Sequence, residues 1–215
     1  MTKKSEDIVI TNALRTPIGK YNGGLSSYEA HDLGAEVIKN LIKQSNILPE
    51  DIDEIIMGQV LTGKTGQNPA RQAAIKAGIP KNKTAYLINQ VCGSGLRSIA
   101  AGYQAILSKD SNILIAGGQE SMTNCEKDVM LKDGLIDVYN GYHMGVTAEN
   151  VAEKWGITRK EQDEFALSSQ IKTQTALKNN KFKNEIIKDL TDFDEHPRPD
   201  LTMENLSNLK TVFKE

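Results

Sequence analysis

Four short apolar runs, separated by segments of helical spacing, organise the chain. Ile8–Asn12, Glu54–Leu61, Thr84–Asn89 and Ile113–Gly117 read as strands. Leu33, Val37, Ile38, Leu41 and Ile42 fall on one face of a first helix. Leu96, Ile99, Ala100, Tyr103, Ile106 and Leu107 line another, at i, i+3, i+4, i+7 spacing. Strands alternating with helices predict right-handed crossovers and an α/β fold with a parallel or mixed sheet. The helix from Ser94 also carries Gly95, Ser98, Ala101, Gly102 and Ala105, which spreads small residues over nearly every face. That distribution predicts a helix buried between layers.

Beyond Gly118 the pattern loosens. Met122–Tyr142 has no clear period and several charges, and reads as a loop excursion. Thr147–Trp155 has helical spacing and stops at Gly156. Thr158 and Glu161 form a capping box that opens a longer helix to about Leu177. Glu185–Leu190 reads as a strand, and Asp192–Asp200, with Pro197 and Pro199, as extended chain. The reading is a βα core over 1–118 and a helical and loop region over 119–215, with no repeat of fixed period.

Composition narrows the function. The 215 residues are 39% apolar and 25% charged, with a net charge of −2. A near-neutral chain without a basic block argues against nucleic acid as a main partner. No apolar run approaches the roughly 18 residues of a membrane span. The polar start Met1–Asp7 lacks the features of a cleaved targeting segment, which points to a cytoplasmic protein. Cys92 and Cys125 are 33 residues apart with no C-x-x-C spacing, and there are three histidines. This pattern disfavours a disulfide framework and a metal site.

Gly58-Gln59-Val60-Leu61-Thr62-Gly63-Lys64-Thr65 satisfies G-x-x-x-x-G-K-[ST] and follows a strand. A phosphate loop needs Gly63, Lys64 and Thr65 to open the next helix, so that its free amides face the anion. Pro69 would then lie inside that helix, at a penalty of about 3 kcal/mol. Asn68 as N-cap with Pro69 at the first helical position is the better solution. Lys64 and Thr65 are therefore expected in a loop.

The most informative segment is Ile88 to Leu96. A strand ends, Cys92 sits at the turn, and small residues lead into a helix. A thiol there faces unsatisfied backbone N–H groups and the positive end of the helix dipole, both of which favour thiolate. Gly93 and Gly95 allow close approach to the sulfur. The arrangement suits nucleophilic acyl transfer with an amide stabilising the oxyanion. The competing reading is a small buried hydrophobe.

Several motifs resemble the thiolase family, in its biosynthetic acetyl-CoA acetyltransferase branch. Leu14-Arg15-Thr16-Pro17-Ile18-Gly19 is similar to the family's opening motif, and Gly66-Gln67-Asn68-Pro69-Ala70-Arg71-Gln72-Ala73 to its next segment. Asn89–Leu96, continuing to Ile106, resembles the acyl-enzyme cysteine signature. Asn140–Gly145, Thr147–Glu153, Asp194–Pro199 and Leu209–Phe213 resemble the family's loop domain, in consistent order along the chain.

The resemblance implies a layered thiolase-like core, with a mixed sheet and a buried helix. It implies condensation of two acetyl-CoA to acetoacetyl-CoA, or the reverse thiolysis, with coenzyme A as substrate and no tightly bound cofactor. Cys92 is the implied nucleophile, its backbone N–H part of the oxyanion hole. Leu135, His143, Met144, Arg198, Asn205 and Phe213 match positions around coenzyme A. Arg198 would meet a phosphate or the adenine face; Leu135, Met144 and Phe213 would pack on the pantetheine arm, and His143 would hydrogen-bond it. Asn205 stands where the family often has Ser. A homodimer is also implied. His31 and His196 read as surface or structural residues, and Cys125 carries no assigned chemistry.

The chain also departs from the family. Thiolases have two similar βα halves, and motifs of the second half are absent, including its G-H-P histidine and its second cysteine. Those groups activate the nucleophile and remove the α-proton in the family. The tracts between Met122 and Asp133 and between Leu190 and Asp194 are shorter than in the relatives. Two readings follow: an acyltransferase completed by a missing C-terminal half, or a binding or scaffold protein that keeps coenzyme A contacts without turnover. A cysteine hydrolase using Cys92 is a weaker third.

Overall fold

The computed structural model describes residues 7–214. Three parallel strands, β1 (Glu54–Gly58), β2 (Thr84–Ile88) and β3 (Leu114–Gly118), form a sheet in the order β2-β1-β3. Glu54 of β1 sits opposite Thr84 on one side and Leu114 on the other. Ile55 and Ile56 point to opposite faces and are both fully buried, so β1 is covered on both sides. An unbroken apolar run suits such a strand, where alternation would leave one face wet.

Helices α1 (Ala30–Ser45) and α2 (Pro69–Lys76) pack together on one face. Ala35 and Ile38 of α1 and Ala70, Ala73 and Ala74 of α2 close the main core with Ile52, Ile55, Met57 and Ile79. Each buried isoleucine contributes about 1.5–3 kcal/mol. Asn68 takes the left-handed N-cap position before Pro69, and its side chain accepts the Arg71 N–H, as the sequence predicts. Lys64 and Thr65 lie in the preceding turn, with Lys64 paired to Glu126. The phosphate-loop match has no structural counterpart.

Helix α3 (Ser94–Leu107) packs on β1 and β3. Its stripe of small residues permits this approach. A Cβ on Gly58 would stand 2.5 Å from the Ser94 carbonyl carbon, and one on Gly102 would stand 2.6 Å from a Leu114 methyl. The Ser98 hydroxyl, fully buried, bridges to the Gly117 and Gly95 carbonyls at 2.7 and 2.6 Å.

The α/β class is as expected, and three details differ. The sheet is wholly parallel rather than mixed. Only Ser94, Ser98 and Gly102 of α3 are buried, and Leu96, Ile99, Tyr103 and Leu107 face outward, so its second face is uncovered. Ile8–Asn12 is not a strand. It runs apart from β3 across a cavity of about 650 Å³ lined also by Leu33, Val37, Tyr103 and Ile115, and without a ladder partner its apolar run forms no strand.

Past β3 lie a short helix α4 (Lys127–Met130) continuing into a π-helical turn at Leu131–Leu135, then α5 (Met144–Trp155), α6 (Arg159–Lys178) and α7 (Met203–Ser207). Gly156 ends α5 in the left-handed conformation, and the Thr158–Glu161 box opens α6. The excursion expected over Met122–Tyr142 therefore holds short helical turns. Glu185–Leu190 makes a single bridge, Arg15 to Ile186, in place of the expected strand. No helix of the described residues is long and apolar enough to cross a membrane.

Candidate active site

Cys92 is exposed, at the turn between β2 and α3. Gly93 is the helix N-cap, so the sulfur-bearing residue lies just outside the first turn. The residue before it is strained: Val91 has φ +49°, a left-handed conformation that a β-branched side chain rarely adopts. Hydrogen bonds enclose the turn. The Val91 N–H donates to Asn89 Oδ1 at 2.9 Å, Gly93 N–H to the Gln90 carbonyl at 3.0 Å, and Ser94 N–H to the Val91 carbonyl at 3.1 Å. The buried Ser94 hydroxyl accepts the Gln90 N–H at 2.8 Å and donates to the Val91 carbonyl at 2.6 Å. An exposed thiol on this turn is not the small buried hydrophobe of the competing reading.

Cys125 differs. It is partly covered, its Sγ lies 3.5 Å from the Glu126 carbonyl, and burial pushes its thiol up, with the negative charges of Glu120, Asp133 and Glu126 adding to the effect. It favours the neutral form.

Four of the six expected coenzyme A residues lie around the start of α5. Ile136, next to Leu135, bridges to His143. His143 caps α5, its Nδ1 accepting the Gly145 N–H at 3.0 Å. An accepting Nδ1 carries no proton, so the neutral ring holds its hydrogen on Nε2, where it can donate. Phe213 stacks on the His143 ring with centroids 5.0 Å apart. It also lies flat over Gly145, where a Cβ would come within 2.3 Å of the ring. Lys214 ties this tail to α5 through Asn150 and Glu153. Met144, at the first helical position, is partly exposed beside them.

The other two lie along α6 and α7. Arg198 is exposed and borders a small groove with Lys178, Gln170 and Gln174 of α6; its backbone N–H donates to Gln170 Oε1 at 2.8 Å. Two cations beside one groove suit an anionic group. Asn205 is occupied locally, its Oδ1 accepting from the Thr202 N–H and hydroxyl in the capping box of α7. Arg159 pins α7 by donating to the Leu206 and Leu209 carbonyls.

Among the described residues, no histidine hydrogen-bonds Cys92. His31 is buried beside Lys76 and Asp32, a structural position, and His143 is the α5 cap. Sequence reasoning passed over Ser94 and Val91. A hydroxyl at the first turn after a candidate nucleophile was the available signal for Ser94; nothing in the sequence marks Val91 as strained.

The architecture defines an α/β protein that presents a cysteine from a strand-to-helix turn, followed along the chain by a helical and loop region. The chain belongs to the thiolase family: the family's N-terminal domain matches residues 8–127 and 124–215. It is 45% identical over 231 residues to an acetyl-CoA acetyltransferase of Rhizobium meliloti (strain 1021), a match covering 96% of this chain and 59% of that protein. The acetyl-CoA acetyltransferase of Chromobacterium violaceum is 46% identical over 235 residues, covering 97% of this chain and 60% of that protein. The chain thus spans about 60% of the length of these relatives. The two family matches meet at residues 124–127, inside the tract that reads as shortened.

Proposed function

We propose that Cys92 accepts an acetyl group from acetyl-CoA, as the first half of an acetyl-CoA acetyltransferase reaction. The Cys92 sulfur attacks the thioester carbonyl carbon, the carbon–sulfur bond to coenzyme A breaks, and coenzyme A leaves as its thiol with the proton that Cys92 gives up. The Cys92 backbone N–H, just ahead of the α3 N-cap, is the proposed oxyanion donor. The single observation that carries this reading is an exposed cysteine on a strained turn before α3, in a chain of this family.

Coenzyme A is proposed to lie along the loop region, residues 119–215, with the βα core over 1–118 supplying the cysteine. Leu135, Met144 and Phe213 offer apolar surface to the pantetheine arm, and His143 Nε2–H a hydrogen bond to it. Arg198 offers charge to a phosphate or its plane to adenine. Asn205 contributes less, because its side-chain oxygen is held by Thr202.

Completion of the reaction, to acetoacetyl-CoA or in reverse, also needs a base for the weakly acidic α-proton of a second acetyl-CoA. That base, and the histidine that would activate Cys92, are proposed to come from a second βα half, in the same protein or a partner chain. A homodimer is the proposed assembly.

The test is mass spectrometry after incubation with acetyl-CoA. One acetyl group mapped to Cys92, absent in Cys92→Ala, with no measurable acetoacetyl-CoA formation or thiolysis, is the expected result. Loss of one member of a catalytic unit commonly lowers rate by several orders of magnitude. No acetylation at Cys92 overturns the reading, and full thiolysis by this chain alone overturns the account of the base. Coenzyme A binding without acetylation would establish instead a binding protein.

A further inference from the structure

We propose that Ser94 is a positioning residue for Cys92, holding the strained Val91 turn that presents the thiol. This rests on the reading of Cys92 as the acetyl acceptor. Left to itself, a valine leaves the left-handed region, because its branched Cβ crowds the neighbouring carbonyl. Strain of this kind persists only where the surroundings over-determine it. Here the Val91 carbonyl takes two donors from one residue, the Ser94 N–H at 3.1 Å and the Ser94 hydroxyl at 2.6 Å. The same hydroxyl accepts the Gln90 N–H, so it ties the Asn89–Gln90 peptide to the Val91–Cys92 peptide across the strained residue.

The anchor is firm because Ser94 cannot move away. It is 4% exposed, and its backbone presses on Gly58 at the end of β1, where no side chain would fit. The chain of support therefore runs from the central strand through Ser94 to Val91 and so to the Cys92 sulfur. The buried hydroxyl donates its one proton and accepts once, and both bonds lie within this turn.

The test is a rescue. Alanine at position 94 removes the hydroxyl, while glycine at position 91 takes φ +49° without strain and needs no clamp. Iodoacetamide alkylation of Cys92 is followed against pH by mass spectrometry in wild type, Ser94→Ala, Val91→Gly and the double variant, with Cys125 as internal reference. Ser94→Ala is expected to slow Cys92 about tenfold across the pH profile, the size of a lost buried hydrogen-bonding group. The double variant is expected to recover to within about twofold of Val91→Gly alone, a non-additive cycle. Wild-type alkylation in Ser94→Ala, or no recovery in the double variant, overturns the proposal. So does faster alkylation of Cys125 in Ser94→Ala, which would make Ser94 a residue of the fold. If Cys92 is never acetylated by acetyl-CoA yet shows this alkylation cycle, the functional reading fails and the positioning role stands.

Discussion

Arg15 joins parts of the chain that lie far apart in sequence. Its guanidinium bonds both Asp194 oxygens, at 2.7 and 3.0 Å, and Glu185 at 2.8 Å, while Phe182 lies beneath it. The segment bearing Arg198 is thereby tied to the loop after residue 15. The bond from Arg15 holds the Asp194 carboxyl below the ordinary carboxylate range, against partial burial, which acts the other way. A carboxylate with a depressed folded pKa contributes stability above its unfolded value near 3.9, and that contribution is lost as pH falls through the folded value. Asp194→Asn is expected to lose about 1.5–3 kcal/mol at pH 7, as for a hydrogen bond to a charged group. The gap to wild type should close as pH drops below about 4. Urea titrations at pH 7 and pH 3 check both points, and an equal gap at the two would show that the ion pair is not its source.

At the scale of elements, the contact between β1 and α3 decides where the cysteine stands. Small residues permit it, and Gly58 is the strictest of them. A methyl at Gly58 would meet the Ser94 and Gly95 backbone at 2.5–2.7 Å, and neither the central strand nor the helix can yield. Gly58→Ala is expected to cost about 1–3 kcal/mol, the range for overpacking. It should also lower Cys92 alkylation, since the displaced helix carries the turn. Thermal unfolding with thiol labelling measures both. A stability change under 0.5 kcal/mol, the range of a neutral surface substitution, would mean that the contact is not tight.

For the whole molecule, the consequential feature is uncovered apolar surface. Leu96, Tyr103 and Leu107 of α3 are 76%, 53% and 64% exposed, and β2 is one edge of the sheet. An open edge and an apolar face are surfaces on which chains associate. A dimer is therefore expected, and static light scattering at micromolar concentration checks it; a well-behaved monomer would count against it. The small residues that seat α3 on the sheet suggested a helix covered all round. They account for one covered face, because the second needs something to lie on it, and helical period alone does not state what.

The sequence by itself determined the α/β alternation, because apolar period and capping chemistry are local. Asn68-Pro69, Gly156 and the Thr158–Glu161 box stand where their side-chain preferences put them. It also carried the resemblance to the thiolase family, which the match to the family's N-terminal domain bears out. Only tertiary structure decided the rest. Ile8–Asn12 has a strand's composition but no partner, and a strand exists only by pairing. The left-handed Val91 is invisible to propensity, which disfavours it there. It arises because the Ser94 clamp, backed by β1, outweighs the local preference. The Arg15–Asp194 pair spans 179 positions, a separation no local pattern encodes, and chain closure alone brings the two together.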